Sequence, residues 1–285
     1  MNGVDASYQE RYLTAQDGLR LYYRDYGPHG SRAAPLLCLT GLTRNSKDFH
    51  RLASTYSARR RVLCLDYRGR GRSDYDPDWR NYAIPTYVTD VRHLLAANDI
   101  HGVVIVGTSL GGMVAMVIAA AFPAVLRGVV LNDIGPEVEA AGMARILAYI
   151  RNLRPLPDWP TAARELKRCF PRLSLQTDEE WLTFARATLR EGSDGLLYPD
   201  WDMNLLKPFR GAAPVSLWNL FQALSRVPLM AVRGGISDVF RPETLAKMAA
   251  ARPDMVQVTV PNVGHVPTLR EPEVTPALEA FLARL

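Results

Sequence analysis

Between about residues 34 and 135 the chain alternates short, wholly apolar runs with longer stretches that carry apolar residues at helical spacing. The runs APLLCLTGL, RVLCLDYRG, HGVVIVGTS and LRGVVLNDIGP read as strands buried on both faces, since a strand with one wet face alternates polar and apolar residues. Between them SKDFHRLASTYSARR, with Ser46 as a candidate N-cap, IPTYVTDVRHLLAAND and GGMVAMVIAAAFP read as helices, the last stopped by Pro123. Strands joined by crossover helices lie parallel, so the expected class is α/β with a doubly wound, mostly parallel sheet. RYLTAQDGLRLYYRDYG adds an antiparallel hairpin, turned at Asp17-Gly18, at one edge. VPLMAVRGG and MVQVTVPNV resume the pattern late in the chain, for eight strands in all.

Residues 136–222 interrupt that rhythm. GMARILAYIRNL, WPTAARELKRCF and DEEWLTFARATLRE read as amphipathic helices with almost no strand-like run among them. The expectation is a core of residues 1–135 and 223–285, with 136–222 inserted as a helical cap after the sixth strand. Ligands of such sheets bind outside the carboxyl ends of the strands, the end a cap would cover. The Trp, Leu and Met residues of this segment are expected mostly to pack the cap itself.

Composition removes several function classes. The 285 residues are 48% hydrophobic, enough for a sizeable core. The net charge of +5 is scattered, with RRR at 59–61 and RGRGR at 68–72 as its clusters. A nucleic-acid surface wants a basic stripe with interleaved aromatics, so no nucleic-acid partner is expected. No apolar run approaches the length of a membrane span, and MNGVDASYQERYL lacks a secretory h-region. Cys38, Cys64 and Cys169 are widely spaced, without a Cys/His cluster for a metal. A cytoplasmic protein without cofactor or metal, acting on a small molecule, is the expectation.

The chemistry points to Ser109. Gly107-Thr108-Ser109-Leu110-Gly111 is G-x-S-x-G, placed after an expected strand and before an expected helix. The sharp turn exposes the hydroxyl, and the N-terminus of the helix favours developing negative charge beside it. A serine needs a base. Among five histidines His265, in PNVGHVP just past the last strand, belongs at the same edge of the sheet. The imidazole in turn needs a carboxylate. Asp238, in RGGISDVFRP, and Asp133, in LNDIGP, both stand at strand ends and give the order Ser…Asp…His. Asp238 is preferred, because its loop neighbours that of His265 in strand order. The oxyanion donors are expected to be the N–H groups of Leu110 and, in LTGLTRN, of Leu42 after Gly41.

Together these residues resemble the α/β-hydrolase superfamily over essentially the whole chain outside the cap. DYRGRGRSD at 66–74 is similar to that family's D-x-R-G-x-G-x-S-D segment, and Asp238 followed by Pro242 is similar to its acid loop. Thr40-Gly41 stands where many relatives have His-Gly. The resemblance implies a serine hydrolase of a small carboxylic ester or lactone. It leaves two alternatives: a hydrolase of C–C bonds in ring-cleavage products, and a non-catalytic binding protein of the same fold. In the C–C reading Arg44 pairs with a substrate carboxylate; otherwise it is a solvated loop arginine.

Overall fold

A computed structural model of the chain describes residues 6–209 and 216–285. The start of the N-terminal stretch in which no secretory run was expected, and residues 210–215 of the expected cap, lie outside the described residues. In chain order the elements begin β1 (Tyr8–Thr14), β2 (Arg20–Tyr26), β3 (Leu36–Leu39), α1 (His50–Tyr56), β4 (Val62–Leu65), α2 (Ile84–Ala97), β5 (Val103–Thr108), α3 (Leu110–Ala121) and β6 (Leu126–Asn132). An insert follows, with α4 (Ala140–Asn152), α5 (Trp159–Cys169), α6 (Asp178–Thr188), β7 (Leu189–Glu191), β8 (Leu197–Pro199) and α7 (Trp218–Gln222). The chain closes with β9 (Leu229–Gly234), α8 (Pro242–Ala251), β10 (Val256–Val260) and α9 (Val274–Leu282).

Eight strands form one sheet in the order β1-β2-β4-β3-β5-β6-β9-β10. β1 and β2 are antiparallel to their neighbours at the edge, and the remaining pairs are parallel. The central strands show why their sequences do not alternate. Leu37, Leu39, Leu63, Leu65, Val103 and Ile105 point into one apolar layer, which takes in α2, α3 and α8. Leu36, Cys38, Val62, Cys64, Val104 and Val106 point into the other, against α1 and α9. Helices cover both faces, so every position is inside, at about 1.5–3 kcal/mol for each large side chain buried. Cys38 and Cys64 pair in register on β3 and β4 as small apolar side chains.

The helical insert after β6 differs from its expected form in one respect. It contains a two-stranded antiparallel ribbon, β7–β8. Strands of three residues are too short to leave a period-2 pattern, and the link between them turns at Gly195, whose φ is +80°. Trp181 and Trp201 are buried in the insert, and Trp159 and Trp218 pack against the same apolar cluster. Nearer the sheet, Asn45 rather than Ser46 caps the turn leading into α1, its side chain accepting from Lys47 N.

Where the chain leaves β6 for the insert, Glu137 clasps two helices. It accepts from Trp218 Nε1 on α7 at 2.8 Å, Thr244 Oγ1 on α8 at 2.8 Å and Lys247 Nζ at 3.1 Å. These donors hold its carboxyl down to about 2 from an ordinary 4.5. A depressed acid stabilises the fold fully above its unfolded value, and that contribution fades as pH falls through the folded one. Wild type is therefore expected to melt above Glu137→Gln at pH 7. The gap should narrow below about pH 4.5 and close near pH 2, as read by thermal melts across that range.

Candidate active site

Ser109 stands at the end of β5 with φ 50° and ψ −111°, a conformation a side chain adopts only under constraint. Its glycine neighbours show the constraint. A Cβ at Gly107 would lie 2.6 Å from the Gly111 carbonyl, one at Gly111 2.1 Å from Leu39 O, and one at Gly112 2.4 Å from Ile134 Cγ2. The first turn of α3 thus presses on β5, on the end of β3 and on the segment after β6. Ser109 N donates to Asn132 O at 3.0 Å, which anchors the turn to β6.

His265 follows β10, and its Nε2 lies 3.1 Å from Ser109 Oγ. Its Nδ1 lies 2.7 Å from Asp133 Oδ2. A proton on Nδ1, donated to the carboxylate, leaves Nε2 as the acceptor for the serine hydroxyl. Asp133 is completely buried, directly past β6 and at φ 52°. Gly234 N donates to its Oδ1 at 2.7 Å and Ser237 Oγ to its Oδ2 at 2.6 Å, so the buried carboxylate is well satisfied. Position 234 has no room for a side chain, since a Cβ there would meet Gly264 O, just ahead of His265, at 2.5 Å.

Asp238, the preferred acid on sequence grounds, makes no hydrogen bond to His265 among the described residues. Its carboxylate takes the Arg145 guanidinium at 2.5 and 2.8 Å, partly exposed, between the β9 loop and α4. That ion pair holds its carboxyl below the usual aspartate value, against the cost of burial. Neighbouring strand order does not by itself set where a carboxylate points. Asp133 projects straight from a strand end, whereas Asp238 lies further along a loop, with Ser237 beside it reaching inward instead.

The loop after β3 faces the serine from the other side. A Cβ on Gly41 would sit 3.8 Å from that of Ser109. Arg44 N donates to Gly41 O at 3.2 Å and Thr40 Oγ1 to Arg44 O at 3.0 Å, closing a turn around Leu42 and Thr43. In a trans peptide the N–H opposes the C=O, so the Leu42 N–H points away from the turn's interior. Leu110 is the first residue of α3, and its N–H has no intrahelical acceptor. Neither N–H has a protein acceptor among the described residues.

Two residues of the 66–74 segment, which the sequence marked by its resemblance but gave no role, fix that loop. Asp66 accepts from Ser46 N at 2.6 Å and Arg72 N at 2.9 Å. Arg70, fully buried, donates through Nε to Leu42 O at 2.6 Å and through Nη1 to Arg68 O and Tyr87 Oη. Its guanidinium lies against the rings of Tyr67 and Tyr87. Arg44, read above as a possible substrate partner, has its fork on Asp48 and a further bond to Thr188 of α6, and it stacks on Phe184 at 4.2 Å. Its charge is matched within the protein, and it joins the β3 loop to the cap. The Asp48 partner stands four residues on, a spacing visible in the sequence.

The sequence model of the alpha/beta hydrolase family matches residues 36–277. The chain belongs to the alpha/beta hydrolase family. A 3-hydroxybutyrate-oligomer hydrolase of Cupriavidus necator is 34% identical over 264 residues, 89% of each chain. A solved alpha/beta hydrolase from Novosphingobium aromaticivorans is 43% identical, superposing with a TM-score of 0.91 over 98% of this chain and 99% of that one. A 2-(acetamidomethylene)succinate hydrolase of Mesorhizobium japonicum is 26% identical over 84% of each chain.

In this alpha/beta hydrolase, no group of three or more His, Cys, Asp and Glu side chains is arranged to hold a metal ion among the described residues. No helix there is long and apolar enough to cross a membrane. The two acids separate by substitution. Asp133→Asn is expected to lower hydrolytic kcat by about 10⁴, as loss of the orienting carboxylate does in such sites. Asp238→Asn should stay within a few-fold of wild type. Steady-state kinetics of both on one chromogenic ester checks this, and the reverse order would return Asp238 to the site.

Proposed function

We propose that this hydrolase cleaves a small carboxylic ester or lactone through an acyl-enzyme on Ser109. The observation that carries the reading is the unbroken hydrogen-bonded line from Ser109 Oγ through His265 to the buried Asp133. Ser109 Oγ attacks the acyl carbon as His265 Nε2 takes its proton. The Leu42 and Leu110 N–H groups receive the oxyanion, such donors being worth about 3–4 kcal/mol each. The imidazolium, steadied by Asp133, returns the proton to the departing alkoxide. Water then attacks the acyl carbon while His265 takes its proton, and collapse of the second tetrahedral intermediate releases the acid and restores the serine. The 3-hydroxybutyrate-oligomer hydrolase relative supports an ester substrate. The C–C reading loses its sequence argument, since Arg44 is taken up by Asp48 and Thr188.

The test is a panel of short-chain nitrophenyl esters, lactones and a dienoic diketo-acid. Wild type should turn over esters or lactones ahead of the diketo-acid, and Ser109→Ala should fall by about 10⁴ or more. Unchanged ester turnover in Ser109→Ala would remove the assignment. Labelling of Ser109 by a fluorophosphonate without turnover of any panel member would favour the binding-protein alternative.

A further inference from the structure

A cavity of about 340 Å³ opens beside the serine, and its charged rim says what kind of ester it suits. Its floor includes Gly41, Thr108 and Val266, the immediate neighbours of the oxyanion loop, the nucleophile and the histidine. The cap contributes apolar wall through Leu173, Leu175 and Phe184. The volume is near the lower end of ordinary ligand sites, which suits one small substrate.

The ionised groups around this cavity are unevenly matched. Lys47 is paired with Asp200 at 2.8 Å, and Asp48 with Arg44. Arg51 and Arg270 share one partner. Arg51 Nη1 lies 3.3 Å and Arg270 Nη2 3.2 Å from the same oxygen, Glu180 Oε1. The other oxygen, Oε2, is occupied by the N–H groups of Gln176 and Thr177 at the start of α6. Two guanidinium groups therefore meet one carboxylate oxygen. The other carboxylate nearby, the buried Glu271, is turned onto Thr268 N, Ser174 Oγ and the main-chain N–H of Arg270, so neither guanidinium has a carboxylate of its own. Each guanidinium has five N–H donors, and their side chains remain 53% and 31% exposed. Paired guanidinium forks of this kind suit a second carboxylate.

We propose that the substrate is a short ester bearing a free carboxylate on the arm that fills this cavity, held between Arg51 and Arg270. The proposal rests on the ester reading of Ser109. Glu180 is the built-in competitor for the two cations, and it also closes the capping box of α6. Glutamine satisfies such a box equally, so Glu180→Gln removes the competing charge without removing the cap.

The test compares acidic esters with their neutral amides. One pair is the nitrophenyl monoester of glutarate and of its monoamide, with the charge on the acyl arm. The other is 3-acetoxybutyrate and 3-acetoxybutyramide, with the charge on the alcohol arm. In at least one pair wild type should favour the acid by about tenfold or more in kcat/KM, and less at high salt. Arg51→Gln and Arg270→Gln should each shrink the ratio, the double variant should bring it to about one, and Glu180→Gln should raise it. Binding of the same compounds to Ser109→Ala, by calorimetry, is the second readout. Turnover of all four compounds with no preference for either acid overturns the anionic arm and leaves the ester reading standing. Tight binding of an acid to Ser109→Ala, lost in the double arginine variant, without turnover by wild type, does the reverse. A preference that survives in the double variant overturns the assignment to Arg51 and Arg270.

Discussion

The site depends on how closely the first turn of α3 packs against two strands. Gly111 lies so near Leu39 that a single methyl group would sit 2.1 Å from its carbonyl oxygen. This contact does two things. It forces Ser109 into a backbone conformation that costs about 1–3 kcal/mol and exposes its hydroxyl past the sheet. It also sets Leu110, whose N–H has no intrahelical acceptor, at the start of α3 directly after Ser109. The cost is offset by burial, since Val114, Ala115, Met116 and Ile118 of α3 are all fully enclosed.

Rigidity elsewhere serves the same geometry. Asp133 sits at a strand end with every contact pre-formed, so the imidazole needs no reorganisation to be oriented. The β3 loop is held from beneath by Asp66 and Arg70 and from above by the cap, through Arg44 to Thr188 and Asn45 to Ala187 O. A loop so held presents its N–H in one direction. The same ties bring α6 over the cavity, where Glu180 meets the arginines of α1 and of the loop after His265.

Much of this could be read from residue patterns, for identifiable reasons. Continuous apolar runs betray strands covered on both faces, and G-x-S-x-G between strand and helix betrays the elbow, because sterics there admit so few residues. His265, expected by its position just past a strand at the carboxyl edge, does lie beside Ser109. The structure sets Asp133 rather than the preferred Asp238 on His265, because a carboxylate's direction is set by its loop and Asp238 is drawn to Arg145, 93 positions away in the chain. Arg70 was given no role because its aromatic neighbours Tyr67 and Tyr87 and its acceptor Leu42 O converge only in three dimensions. Arg44 was the reverse case: Asp48, four residues on, already offered it a partner.

The central claim is that an acyl group passes through Ser109. The most direct measurement is intact-protein and peptide mass spectrometry after quenching the protein with a hindered ester whose acyl-enzyme deacylates slowly. The account predicts one acyl group per chain, carried by the peptide containing Ser109 and absent from Ser109→Ala. Hydrolysis of that ester with the acyl group on another residue would contradict it.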